Sequence, residues 1–317
     1  MKETQSATSI AREIVDNVSK VIVGKKAVIE RALAAIIAQG HILIEDVPGV
    51  GKTMLAKSIS ISMGCSFKRI QFTPDLLPSD IVGVSIYNQS TGEFQFRPGP
   101  VMAQVVLIDE INRATPKTQS ALLEAMEELQ VSVDGVTRYL DRPFVVLATQ
   151  NPIEYEGTFP LPEAQLDRFL MRISLGYPTF AEELSVIEQQ EQTHPIDHLE
   201  AVATPEDVIR LQDAAKNVYV DSAVREYIVG LIEATRNHED VSLGASPRAS
   251  LGMFRAVRGM AILQDRDYVI PDDVRDLAYA VLAHRLILSP SARMRGLQAR
   301  QVIDGLLETV AVPGATR

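Results

Sequence analysis

Ile42-Leu43-Ile44-Glu45 runs directly into Asp46-Val47-Pro48-Gly49-Val50-Gly51-Lys52-Thr53, and a helical stretch over residues 54–61 follows. Strand, glycine-bearing loop and helix in that order build a phosphate cradle. The glycines let backbone N–H groups curl around phosphate oxygens, and the helix N-terminus adds the positive end of its dipole. In such a loop Lys52 reaches the β- and γ-phosphates and the Thr53 hydroxyl ligates Mg²⁺. The full Walker A pattern carries a first glycine where this chain has Asp46, a departure at a turn that often needs glycine's conformational range.

Working outward, short apolar runs at 42–45, 67–72, 105–108, 144–148 and 170–174 alternate with amphipathic stretches. That alternation predicts a parallel sheet covered by helices. The third run, Val105-Val106-Leu107-Ile108, closes on Asp109-Glu110, and the fourth ends before Thr149-Gln150-Asn151-Pro152. In open α/β sheets the ligand crevice lies at the carboxyl ends of strands. Asp109 is therefore assigned to the Mg²⁺ shell, Glu110 to the general base that polarises the attacking water, and Asn151 to orienting that water or touching the γ-phosphate. Asn151-Pro152 is equally a local turn signal.

The chain has 317 residues, 46% of them hydrophobic, and 31 Lys+Arg against 41 Asp+Glu give a net charge of −10. That length suggests two domains and that apolar share a sizeable core. The acidity argues against attachment to nucleic acid through overall charge. A single cysteine, Cys65, excludes an intrachain disulfide. The polar N-terminus lacks a signal-peptide core, and the longest apolar runs, such as 32–38, fall far short of a membrane span; together these predict a cytoplasmic, non-integral protein. Beyond Tyr177-Pro178 helix signals take over at 204–218, 221–237, 246–264 and 271–284, with Thr204 and Ser246 placed as caps before Pro205 and Pro247. The expected organisation is an αβα core over residues 1–177 and an all-helical domain over 178–317.

The order of these parts resembles the MoxR family of AAA+ ATPases. Five segments carry the resemblance: 45–53; Leu107-Ile108-Asp109-Glu110-Ile111-Asn112-Arg113-Ala114; Ala148-Thr149-Gln150-Asn151-Pro152; Leu161-Pro162-Glu163-Ala164-Gln165-Leu166-Asp167-Arg168-Phe169; and Ser246-Pro247-Arg248-Ala249. It spans about residues 21–313. The resemblance implies a P-loop αβα core with a five-stranded parallel sheet, a helical lid, and assembly as a homo-oligomeric ring, a hexamer. It further implies that Asn151 is sensor 1, that Arg168 is an arginine finger reaching the neighbouring subunit's γ-phosphate, and that Arg248 is the sensor 2 arginine of the lid. Lys52, Arg168 and Arg248 would then concentrate positive charge on one phosphate chain. Val23 and Gly24, within Val21-Ile22-Val23-Gly24, would lie against the adenine, with Pro48, Gly49, Val50, Gly51, Lys52, Thr53 and Met54 around the phosphates. The stretch 84–100 looks like the family's helix 2 insert. Residues 130–142, with Asp134-Gly135 as a hairpin turn, look like its pre-sensor 1 hairpin. Both would face the ring axis or a partner.

The function so implied is Mg²⁺-dependent ATP hydrolysis by a chaperone-like motor that matures partner protein complexes, commonly with a von Willebrand factor A domain protein. Two alternatives stay open at this level: the ATPase subunit of a magnesium or cobalt chelatase, and a nucleotide-gated AAA+ protein acting on DNA. Other residues read as structural. His194 and His198 have ligand spacing but are interrupted by Pro195, Cys65 reads as a small packing side chain, and Arg285, Arg293, Arg295 and Arg300 read as a solvated helical face.

Overall fold

The apolar runs form one five-stranded parallel sheet in a computed structural model that describes residues 2–151, 157–189 and 193–313, with side chains from Thr8 onward. Its strands are β1 (His41–Glu45), β2 (Phe67–Gln71), β3 (Val105–Asp109), β4 (Val145–Gln150) and β5 (Phe169–Ile173). They lie in the order β2-β3-β4-β1-β5. The edges differ by a residue or two from the sequence reading, because pairing rather than hydropathy sets them. Val145 pairs with Val105, leaving Phe144 outside, and Gln150 pairs with Glu45, which extends β4 past its apolar run. Pro152 lies outside the described residues.

Both faces of the sheet are buried, and strand alternation assigns each residue a side. Ile42, Ile44, Leu107 and Leu147 enter one apolar cluster, whereas Leu43, Val106, Ile108, Val146 and Ala148 enter the other. The first cluster is the larger. It is built with α1 (Lys2–Ser19), α2 (Lys26–Ile37) and α3 (Lys52–Ser62). The second is closed by α4 (Pro116–Glu128), which contributes Leu122, Leu123, Ala125 and Met126.

After β5 the chain is mostly helical: α5 (Phe180–Gln189), α6 (Pro205–Lys216), α7 (Ser222–Arg236), α8 (Pro247–Leu263), α9 (Pro271–Leu282) and α10 (Ala299–Thr309). Both expected caps are made. Thr204 accepts from the Asp207 N–H while Asp207 accepts from the Thr204 N–H, and the Ser246 hydroxyl accepts from the Arg248 N–H. The apolar cluster runs without a break from α1 and α2 into α6, α7, α8 and α9. Where α8 crosses α2, a Cβ on Gly259 would stand 2.6 Å from the Ala34 carbonyl oxygen, so the backbones meet at a distance only glycine permits.

Arg285 corrects the sequence reading. It is not part of a solvated face: its side chain is 3% exposed, and its Nε donates to Asp167 Oδ1 at 2.6 Å. Its other nitrogens donate to the carbonyls of Asp167, Phe169 and Leu170, at the start of β5. Ser246, the cap of α8, donates to the second Asp167 oxygen at 2.9 Å. One carboxylate thus fastens two points of the helical region to the sheet. The sequence marks Arg285 only as a long charged side chain, and such side chains are rarely buried unless paired. Arg293, Arg295 and Arg300 are exposed, as expected.

The two hairpins are formed. Gly83–Asn88 pairs antiparallel with Glu93–Pro98, and Gln130–Val133 with Val136–Tyr139 around Asp134 and Gly135, both of positive φ. The Arg138 guanidinium stacks 3.8 Å over the Phe96 ring and ties one hairpin to the other. His198 bonds Thr193, and no group of three or more potential metal ligands occurs among the described residues. Burial pushes the Cys65 thiol up to about 12, which leaves it protonated and inert.

Asp167→Ala leaves the Arg285 guanidinium buried without its carboxylate. A loss of about 3–5 kcal/mol is expected in denaturant unfolding, and a loss below about 1 kcal/mol contradicts the fastening role. His41 supplies a pH dependence. Its Nδ1 accepts from the Val146 N–H and its Nε2 faces the Met126 carbonyl, each at 3.0 Å, so the ring is neutral, and burial holds its pKa at about 4. The unfolded chain takes up this proton first, near pH 6.5, so the stability is complete above that value and erodes as pH falls toward 4, by about 3 kcal/mol in all. Thermal melts across that window should show the loss, reduced in His41→Gln; equal slopes in the two proteins contradict the assignment.

Candidate active site

The loop between β1 and α3 turns on Gly49 and Gly51, whose φ values of 86° and 92° lie in the left-handed region. A Cβ at either would meet nothing within 4 Å, so the glycines are required by conformation rather than by crowding. Gly51 is also the N-cap of α3 and offers no side-chain cap, which leaves the first-turn N–H groups to a ligand.

Asp46 takes a different part from the glycine it replaces. It is not among the positive-φ residues, so the position does not call for glycine. The carboxylate is buried; one oxygen accepts from the Val47 N–H, and the other from the Ser174 hydroxyl and the N–H groups of Leu175 and Gly176, at 2.7–2.9 Å. The phosphate loop is thereby fastened to the segment leaving β5. Lys52 Nζ donates to the Asp46 carbonyl at 2.6 Å, across the loop mouth.

Pro48, Gly49, Gly51, Lys52, Thr53 and Met54 line a cleft of about 370 Å³ together with Asp109, Glu110 and Asn151. The predicted loop, acids and amide therefore converge. Val50 packs toward the core instead, and Val23 and Gly24 lie outside this lining. Their neighbour Lys25 pairs with Glu182 at 3.3 Å and donates to the Tyr177 carbonyl, bringing that turn against the start of α5.

Two residues outside the motifs, Arg69 and Gln71, complete the cleft together with Thr149. Arg69 and Gln71, two apart on β2 and so on one face, reach the paired acids. Arg69 Nε donates to Asp109 Oδ2 at 2.5 Å, and Gln71 Nε2 to Glu110 Oε2 at 2.7 Å. Thr149 donates to Asp109 and accepts from the Glu110 N–H at 2.9 Å. Glu110 has a φ of 57°, and Arg113 also pairs with it at 3.1 Å. A non-glycine residue in this region marks a constrained position. No local sequence signal marks Arg69 and Gln71: the parallel register, in which Gln71 pairs with Asp109, brings them to the acids.

Arg168 and Arg248 lie elsewhere. Arg168 donates to the Leu123 carbonyl at 2.7 Å and pairs with Glu127 at 3.1 Å; Arg248 pairs with the other Glu127 oxygen at 2.7 Å. Both line a second cleft, of about 310 Å³, bordered by His41 and Leu170 near the starts of β1 and β5 and by Phe144 just before β4. Within one chain they therefore stand at the sheet edge opposite Lys52, side by side on one carboxylate of α4. Asp167, the sequence neighbour of Arg168, is taken by Arg285 instead.

Left-handed glycines, a lysine and two acids converging on one cleft suit a nucleoside triphosphate, and the β2-β3-β4-β1-β5 order with a helical region behind it defines an AAA+ ATPase. The family profile described as "ATPase family associated with various cellular activities (AAA)" matches residues 41–171, and that of the "AAA lid domain" residues 233–306. The chain belongs to the MoxR family of these chaperone-like ATPases. It is 46% identical to Chaperone MoxR1 of Mycobacterium tuberculosis, over 93% of this chain and 80% of that one. It is 32% identical to Protein MoxR of Methylorubrum extorquens, over 97% and 95%. YeaC of Bacillus subtilis is 55% identical over 94% and 93%. A crystal structure from Cytophaga hutchinsonii superposes with a TM-score of 0.92 at 41% identity, covering 98% of this chain and 97% of that one. No helix among the described residues is long and apolar enough to cross a membrane.

With Glu110→Gln, ATP binding should persist while turnover falls by roughly 10²–10⁴-fold, the range general-base catalysis supplies. Nucleotide titration beside a phosphate-release assay reads both, and wild-type turnover in the variant contradicts the base assignment.

Proposed function

We propose that the chain is a Mg²⁺-dependent ATP hydrolase that assembles into a cytoplasmic homo-oligomeric ring, a hexamer, and remodels partner protein complexes. The observation that carries this reading is the separation of Arg168 and Arg248 from the Gly-Lys-Thr loop. Both face out from the opposite sheet edge, where they can meet a neighbour's phosphates and not those of their own loop. Residues 1–177 then serve as the catalytic core and 178–317 as the lid.

The cleft fits the divalent cation: the Thr53 hydroxyl and the Asp109 carboxylate are hard oxygen donors lining the same cleft as Gly49 and Gly51. Bound there, Mg²⁺ neutralises charge on the phosphate oxygens. The residues of the chain do the rest. Lys52 exchanges the Asp46 carbonyl for the β- and γ-phosphates, while the N–H groups of residues 49–53 close around them. Glu110, released from Gln71 and Arg113, accepts the proton of the attacking water, and Asn151 orients that water. Arg168 and Arg248 of the next copy meet the charge on the departing phosphoryl group. Asp46 couples the loop to Ser174, Leu175 and Gly176, and so to the chain that leads into α5.

The chaperone named among the relatives supports a protein client. Tyr87, Phe94 and Tyr139, on the linked hairpins, are 52%, 74% and 76% exposed and offer apolar contact to it or to a von Willebrand factor A domain partner.

Arg168→Ala should lose hydrolysis on its own and regain it when mixed with Glu110→Gln chains, whose intact Arg168 completes the neighbouring site. Absence of rescue in mixed assemblies contradicts action across the boundary.

A further inference from the structure

None of the side chains of α5 is buried. Phe180, Leu184 and Ile187 are 85%, 47% and 63% exposed, and their spacing of four and three places them on one helix face. Tyr177, 72% exposed, precedes that face. Its remaining character is acidic: Glu183 and Glu188 are exposed, and the helix has no basic residue. An apolar stripe of this kind marks a surface meant to be covered. It stands beside the nucleotide loop, because Asp46 holds the chain three residues before Phe180's neighbour Thr179, at Gly176, and Lys25 holds Glu182.

The opposite sheet edge carries the complementary surface. Along α8, Arg248, Leu251 and Arg255 are exposed at spacings of three and four, with Leu251 at 64%. Arg142 and Arg168 line the same cleft as Arg248 and Arg255. This face is basic around an apolar centre, where α5 is acidic around an apolar stripe.

We propose that α5 of one copy docks on the Arg248-Leu251-Arg255 face of α8 of the next, a contact that rests on the ring reading and specifies its surfaces. Because the two faces differ and lie on opposite edges, the contact is head-to-tail and propagates toward a closed ring. The cleft needs it: the arginine lining the cleft is Arg69, engaged by Asp109, whereas Arg168 and Arg248 arrive with the docked face. A second copy is favoured over an unrelated protein because charge and apolar content match within this one chain, and because docking delivers those arginines beside the loop.

The test uses Leu184→Asp and Leu251→Asp in the full chain, with mass photometry in ATP and a nucleotide titration. Each variant should melt and bind nucleotide as wild type does, yet associate at least about tenfold more weakly, since a carboxylate is buried against an apolar face. Mixed, the two should give a species of two chains, using the intact α8 face of Leu184→Asp and the intact α5 of Leu251→Asp, and should recover hydrolysis that neither has alone. If wild type assembles and Leu184→Asp assembles equally well, the proposed contact is wrong. If the mixture stays monomeric, the head-to-tail pairing is wrong. A wild-type chain that never assembles overturns the ring reading itself.

Discussion

The pairing of the buried Arg285 with the half-buried Asp167 is the constraint on which the arrangement of functional residues depends. Arg285 comes from the helical region, Asp167 from the turn into β5, and Ser246 at the start of α8 shares the same carboxylate. Fixing the start of α8 there fixes Arg248 two residues later. Arg168, the residue after Asp167, is fixed from the other side, and the two arginines meet on Glu127. A largely buried charge pair of this kind adds little net stability, but removing one member is costly. It therefore specifies geometry: two arginines held together at the edge of the sheet away from the phosphate loop.

At the other edge the acids stand in a closed network. Arg69 holds Asp109, and Gln71 and Arg113 hold Glu110. The groups assigned to Mg²⁺ and to the base are thus satisfied by the chain's own donors, and binding must exchange these partners for cation, phosphate and water. Asp46 joins the same loop to the segment entering α5, so a rearrangement around the phosphates and one at α5 share a single hydrogen-bonded path.

What the sequence made legible was local. Gly-Lys-Thr after an apolar strand, Asp109-Glu110 at a strand end, the proline-following caps at Thr204 and Ser246, and the Asp134-Gly135 turn each state their physics within a few residues. What stayed hidden was pairing across long separations. Asp46 looked like a defect in a motif, and three of its four donors lie about 130 residues further on. Arg285 looked like a solvated charge because nothing near it in sequence reveals Asp167. Gln71 and Arg69 sit on a strand whose exposed side has no hydrophobic pattern, and only the parallel register brings them to the acids. The resemblance assigned Arg168 and Arg248 to a phosphate, but their joint position opposite Lys52 required the fold.

If Arg168 and Arg248 act on a neighbour's nucleotide, as proposed, no single chain holds a complete catalytic site. The direct measurement is ATP turnover per chain as a function of protein concentration, followed with the mass of the assembly. Turnover per chain is expected to rise steeply as chains associate and to fall to background on dilution to monomers, while nucleotide affinity changes far less. Turnover per chain that stays constant down to the monomer would contradict that expectation.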